Sequence, residues 1–129
     1  KVVGIDIVSD MVRRANENAL LNNIDSEQAR FFVADLEEAF ESQIWAKDQY
    51  DVVVMDPGRL GAKRSVGYMS KLKPQKIVMI SCNPLAASRD TTALISSNYK
   101  LESWGAIDMF PRTAHLEIML VFTRDDSKK

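Results

Sequence analysis

Cysteine and histidine each occur once in these 129 residues, as Cys82 and His115. Cys82 stands in "SCNPLAASRD", directly after the apolar run Lys76 to Ile80 and two residues before Pro84, a residue type favoured at the first position of a helix. A thiol at that point faces the positive end of a helix dipole, which favours its anion and so nucleophilic chemistry. The plain alternative is a small buried hydrophobe, the usual state of an unpaired cysteine. Ser81 and Asn83 make the surroundings polar and argue for exposure. A base for such a nucleophile is offered by "DMFPRTAHLE", where Glu117 begins an apolar run from Leu116 to Val121; its alternative is a solvated carboxylate at a strand edge. His115, a single histidine, is more often a structural hydrogen-bonding residue than a catalyst. One cysteine and one histidine supply no ligand set for a metal and no internal disulfide.

Three further acids stand at the ends of apolar runs. Asp6 closes "VVGIDI", where a carboxylate at a strand tip can accept from both hydroxyls of a ribose; it can also simply cap a helix. Asp35 in "VADLEE" can accept from an exocyclic amine or cap a helix beginning at Leu36. Asp56 in "DVVVMDPGRLGAK" is followed by Pro57, which fixes the backbone beyond the carboxylate, and by Gly58 and Gly61, which permit a tight loop close to a flat ligand. A plain strand-to-turn exit uses the same residues.

These residues need a scaffold that presents strand ends. Apolar runs alternate with helical patterns over Lys1 to Ile7, Asp10 to Asn22, Arg30 to Ala34, Leu36 to Trp45, Tyr50 to Met55, Lys63 to Leu72, Lys76 to Ile80 and Pro84 to Ser97, a β-α-β-α-β-α-β-α order. Val52-Val53-Val54 and Ile77 to Ile80 are continuous, as in parallel strands covered on both faces. Leu101 to Asp108 and Leu116 to Thr123 predict a closing antiparallel pair joined through Phe110 to Thr113, with a frayed tail from Arg124 to Lys129. Ser9 is the expected cap of the first helix, whose Met11, Val12, Ala15, Ala19 and Leu20 share a face. The reading is a single partial α/β domain over residues 1 to 129, mostly parallel, with helices on both sheet faces and functional loops at the carboxyl ends of the strands. The five glycines form no G-x-G cluster after the opening strand. The chain therefore reads as starting at a second strand, without the first strand and its Gly-rich loop, which would leave strand edges open to self-association.

With 46% hydrophobic and 27% charged residues and a net charge of −1, the composition is that of a soluble globular domain, and no global basic field points to nucleic acid. No apolar run approaches the roughly 20 residues of a membrane helix, and the start lacks a signal peptide. The expected location is the cytoplasm, with no membrane partner.

Taken in order, "VVGIDIVSDMVRRANENALLNN", "FFVADLEE", "DVVVMDPGRLGA", "KIVMISCNPLAASRD" and "IDMFPRTAHLE" resemble the catalytic domain of RNA uracil-5-methyltransferases, over nearly the whole chain. "SCNP" followed by "SRD", with "DMFP" and "HLE", looks closer to the ribosomal RNA branch, with 23S RNA as substrate, than to the transfer RNA branch. The resemblance implies the Rossmann-like fold of enzymes that use S-adenosylmethionine and transfer of its methyl group to C5 of a uridine. It implies Cys82 as the nucleophile that adds to uracil C6, and Glu117 as the proton acceptor. Asp6, Asp35 and Asp56 would hold the cofactor, while Asp56, Arg59, Arg112 and His115 would meet the substrate. Lys63, Arg64 and Arg89 lie in or beside the same loops and are further candidates for RNA phosphates.

The sequence departs from the family pattern at Asp6, where Glu is general, at Gly58, where Pro or Ala is common, and at Arg112, where His or Tyr is usual. The family's N-terminal RNA-binding module and iron–sulfur cysteines have no counterpart here, so an iron–sulfur cluster would belong only to an absent N-terminal region, and the piece alone is expected to be inactive. The alternatives are a non-catalytic nucleotide- or S-adenosylmethionine-binding module with Cys82 structural, and a methyltransferase acting on DNA or an amine.

Overall fold

A computed structural model describes residues 1–113 and 115–127. The last two residues of the expected frayed tail lie outside them. The chain divides into two compact units, Lys1–Lys47 and Asp48–Lys129.

In the first unit, β1 (Val2–Asp6) and β2 (Ala29–Val33) pair in parallel, with Gly4 opposite Phe31, and α1 (Ser9–Leu21) crosses between them. The Phe31 ring lies where a side chain on Gly4 would begin, 2.5 Å from an ideal Cβ, so glycine is what lets the ring lie over the strand. Ser9 does not cap α1, contrary to the sequence reading. The cap position belongs to Val8, with no side-chain cap bond, and the Val8 N–H instead donates to Asp6 Oδ1 at 2.7 Å. Of the expected apolar face only Val12 is buried; Ala15 and Ala19 are half-buried, and Met11 and Leu20 are exposed.

The expected helix from Leu36 to Trp45 is absent. Asp35 Oδ1 accepts the Glu37 N–H at 2.9 Å, the side-chain turn by which aspartate competes with helix formation, and only a short 3₁₀ turn follows at Trp45–Lys47. The apolar residues of that stretch are used differently: Phe40 stacks on Trp45 with centroids 5.6 Å apart, and Phe32 of β2 lies 6.4 Å from the same indole.

The second unit is a four-stranded sheet in the order β3-β4-β6-β5, with β3 at Val52–Met55, β4 at Lys76–Ser81, β5 at Tyr99–Ile107 and β6 at Glu117–Arg124. β3 and β4 are parallel, and β6 runs antiparallel to both of its neighbours. Helices α2 (Lys63–Leu72) and α3 (Pro84–Ser96) lie on one face of this sheet. Val66, Met69, Ala87 and Leu94 from the helices bury against Met55, Ile77, Met79, Leu120 and Phe122 from the strands. The alternate face carries Val54, Ile80 and Met119, exposed or half-buried.

Tyr99 closes the base of this core. Its ring is buried and its hydroxyl donates to the Pro74 carbonyl at 2.9 Å. Burial is the main cause that pushes the phenol up to about 12. Because the folded state holds the phenolic proton more tightly than the unfolded chain, whose tyrosine titrates near 10, this stabilisation is whole below about pH 10 and is lost as pH rises through about 12. Tyr99→Phe leaves the Pro74 carbonyl without its donor and is expected to cost about 1–3 kcal/mol in denaturant melts. It should also flatten the loss of stability between pH 10 and 12.

Candidate functional site

Within each unit the chemistry-bearing residues lie at or just past the carboxyl ends of its parallel strands. In the first unit Asp6 is the last residue of β1, in register with Val33, and Asp35 lies two residues past the end of β2. Both carboxylates are exposed. Asp6 Oδ1 is occupied by the Val8 N–H, while Oδ2 has no protein partner among the described residues. Asp35 spends one oxygen on the Glu37 N–H. Each therefore keeps acceptor capacity of the kind that vicinal hydroxyls or an exocyclic amine would use.

In the second unit Asp56 follows the last residue of β3, exposed, one step beyond the pair Met55 and Met79. Cys82 follows the last residue of β4. It is a free thiol of intermediate burial, neither core filler nor fully exposed. Ser81 and Ile118 are opposite one another in the last pair of the antiparallel ladder of β4 with β6, so Cys82 and Glu117 each stand one residue beyond that pair. Residues opposite each other in such a ladder share a face. Ile118 and Leu120 pack toward the core beneath α2 and α3, so Glu117, which alternates with Ile118 along β6, stands on the other face. The end of the β4–β6 ladder thus brings near one another two segments separated by about a quarter of the chain.

The backbone around the thiol is tightly specified. Ser81, buried at 2% exposure, uses its hydroxyl both to accept the Asn83 N–H at 3.3 Å and to donate to the Asn83 carbonyl at 3.2 Å. Asn83 is the N-cap of α3: its Oδ1 accepts from the N–H groups of Leu85 and Ala86, and Pro84 opens the helix as the sequence predicts. Asn83 Nδ2 also donates to the Arg59 carbonyl at 2.9 Å, tying the loop after β3 to the loop after β4.

The remaining candidates sit on loops at the same end of this sheet. Arg59 is exposed in the turn closed by the Gly61 N–H to Gly58 carbonyl bond of 2.9 Å. Arg112 and His115 belong to the connection between β5 and β6; both are exposed, and Arg112 adopts a left-handed φ of 69°. The His115 ring meets Phe110 edge-on at 6.2 Å, and its backbone N–H donates to Thr113 Oγ1 at 3.2 Å. Arg89 is placed otherwise than the sequence reading supposed: its guanidinium is engaged by Asp90 and by the Leu60 carbonyl. Asp90, buried at 1% exposure, is a residue that sequence reasoning passed over. An aspartate at a helical position that also carries the core residues Ala87 and Leu94 was the available signal. Among the described residues no cluster of His, Cys, Asp and Glu could hold a metal ion, and no helix is long and apolar enough to cross a membrane.

A family model described as a methyltransferase domain matches residues 1–109. The 23S rRNA (uracil(1939)-C(5))-methyltransferase RlmD of Vibrio campbellii is 45% identical over 123 residues, which are 95% of this chain and 28% of that protein. Its namesake from Photobacterium angustum is 41% identical over 99% of this chain and 57% of its own length. This chain therefore spans only part of its curated relatives. Among solved structures, the Pyrococcus abyssi tRNA (uracil-54, C5)-methyltransferase in complex with S-adenosyl-L-homocysteine superposes with a TM-score of 0.78 at 33% identity, covering 95% of this chain and 29% of that one. The match over residues 1–109, together with a fold shared with a methyltransferase holding the spent cofactor, shows that the chain belongs to the methyltransferase domain family.

Proposed function

We propose that residues 1–129 are part of the catalytic domain of a cytoplasmic enzyme that methylates C5 of a uridine in RNA, with 23S ribosomal RNA as the substrate, through a covalent bond between Cys82 and uracil C6. The observation that supports this reading is the β4–β6 register, in which Cys82 and Glu117 each follow the last pair, Ser81 and Ile118, by one residue, in a chain 45% identical to a protein named for uracil C5 methylation.

Uracil C5 is too weakly nucleophilic to be alkylated directly. The Cys82 thiolate forms a bond to C6, and the electrons of the C5–C6 double bond move toward the C4 carbonyl, giving an enolate with carbanion character at C5. S-adenosylmethionine, when bound, supplies the electrophilic methyl group that C5 takes. The Glu117 carboxylate then removes the proton from C5, the double bond re-forms and the bond from Sγ to C6 breaks, returning the thiolate. The proton leaves Glu117 for solvent. Asp6, Asp35 and Asp56 are the carboxylates that would hold the cofactor. The free acceptor oxygens of Asp6 and Asp35 suit its hydroxyl and amine donors.

Asp56, Arg59, Arg112 and His115 would meet the RNA, with the target base taken out of the stack to reach the thiol. Phe110, 51% exposed beside His115, offers a ring on which a base can stack. Arg112→Ala is expected to weaken RNA binding and to lower the slope of log affinity against log salt by about 1, the signature of one lost phosphate contact. An unchanged slope would remove Arg112 from the RNA contacts. The test of the whole reading is mass spectrometry of the full-length protein mixed with S-adenosylmethionine and RNA carrying 5-fluorouridine. Fluorine cannot leave C5 as a proton does, so thiol addition is expected to trap a protein–RNA adduct mapped to Cys82. A protein that methylates uridine without forming that adduct uses another mechanism, and one that binds cofactor without methylating RNA is a binding module.

A further inference from the structure

Helix α3 grips the loop that carries Asp56 and Arg59 by three side chains in succession. Asn83 Nδ2 donates to the Arg59 carbonyl at 2.9 Å, Arg89 Nη2 donates to the Leu60 carbonyl at 2.9 Å, and Asp90 Oδ2 accepts the Ala62 N–H at 2.8 Å. Arg89 and Asp90 are themselves joined: Asp90 Oδ1 accepts from Arg89 Nε at 2.9 Å and from Nη2 at 2.7 Å. The carboxylate is thus shared between a guanidinium and a backbone amide while being almost wholly removed from water, where an ionised group persists only with such partners.

The loop is shaped to fit this grip. Gly61 has φ +80°, and a Cβ there would lie 2.5 Å from both Arg89 Nη2 and Asp90 Oδ2. The same helix begins at Asn83 and Pro84, immediately after Cys82. A single rigid element therefore fixes the nucleophile at its N-terminus and the loop after β3 along its first two turns.

We infer that Arg89 and Asp90 are positioning residues that hold the Asp56-to-Ala62 loop in register with Cys82. The inference rests on the proposed methyl-transfer reading, and it assigns to Arg89 a role inside the protein in place of a contact with RNA phosphate. In this role neither residue needs to touch the uracil or the cofactor. Their effect is to keep Asp56 and Arg59 at a fixed offset from the thiol, and a displacement of about 1 Å in such an offset can slow a reaction about 100-fold.

The experiment uses the full-length protein with Arg89→Ala, Arg89→Lys, Asp90→Asn and the pair Arg89→Ala/Asp90→Asn. Hydrogen exchange at peptides spanning residues 57–62 reads the grip directly, and the rate of adduct formation with 5-fluorouridine RNA reads the chemistry. The expected result is faster exchange of the Ala62 amide in every variant. Adduct formation should fall about 10- to 100-fold while RNA affinity stays within about threefold, and the pair should be no worse than the worse single variant, since both break one unit. Arg89→Lys is expected to resemble Arg89→Ala, because an ammonium cannot serve Asp90 and the Leu60 carbonyl with one planar fork.

Unchanged exchange, or unchanged adduct rates beside a wild-type protein that forms the adduct, overturns the inference. So does recovery by Arg89→Lys together with a weakened RNA affinity in Arg89→Ala, which would make Arg89 a phosphate contact. Should Asp90→Asn fail to fold, Arg89→Ala, which truncates a half-exposed side chain, decides alone. A wild-type protein that forms no adduct sinks the methyl-transfer reading instead, and the exchange result still reports whether the grip exists.

Discussion

Cys82→Ala in the full-length protein is expected to reduce methyl transfer to uridine below detection while leaving affinity for S-adenosylmethionine within a few-fold. The thiol has one task in the proposed mechanism, to add to C6 and so make C5 nucleophilic, and no neighbouring group can substitute. Ser81 is the nearest hydroxyl, but it is buried and committed in both directions to Asn83, so it is neither free nor aimed at the open face. The fold should tolerate the change: Cys82 lies past the end of β4, is only partly buried and has no place in the core cluster. A melting temperature close to that of the parent, with activity gone and cofactor binding retained by calorimetry, is the outcome that supports the mechanism. Substantial turnover by the alanine protein would end it.

Glu117→Gln should behave differently. Glutamine keeps the size of the side chain and its place opposite Ile107 of β5, and removes only the ability to take a proton. Addition to C6 and methylation of C5 precede that proton transfer, so both remain available. The reaction is then expected to stall with the RNA still joined to Cys82 and the methyl group already on C5. Turnover should fall by about 100- to 10,000-fold, the usual contribution of a general base. The stalled species is visible as a band that survives denaturation, with the mass of protein plus methylated RNA. Normal release of product by the glutamine protein would place the base elsewhere.

The strands and helices of the second unit were legible in the sequence because their signals are local. Ile77 to Ile80 is a continuous apolar run, Pro84 marks the start of α3, and Lys63 to Leu72 matches the observed helix residue for residue. The Leu36 to Trp45 stretch misled for the converse reason. Leu36, Glu37, Glu38 and Ala39 are good helix formers, but two things override that preference: the turn at Asp35, which is local yet uses the same residue type as a helix cap, and the burial of Trp45 against Phe32 of β2, which is not local. The site was legible as a set of residue types at strand ends. What fixes its geometry was not: the offset between β4 and β6 depends on pairing across the chain, and Asp90 gains its meaning only from amide groups 28 residues away.

The position of β6 between β4 and β5 has a consequence in time. A ribosome delivers β4 about 40 residues before β6 is complete, an interval of roughly 2 to 8 s at ordinary rates of synthesis. During it one edge of β4 stays unpaired, and β5, whose strand partner is β6, has nothing to join. Cys82 therefore exists for seconds in a nascent chain that has no Glu117, and a transcript cut short anywhere in that interval yields a polypeptide with the thiol and without the proton acceptor. Such a product also lacks β6, the strand that joins β4 to β5, so it carries the nucleophile without the sheet that would direct it.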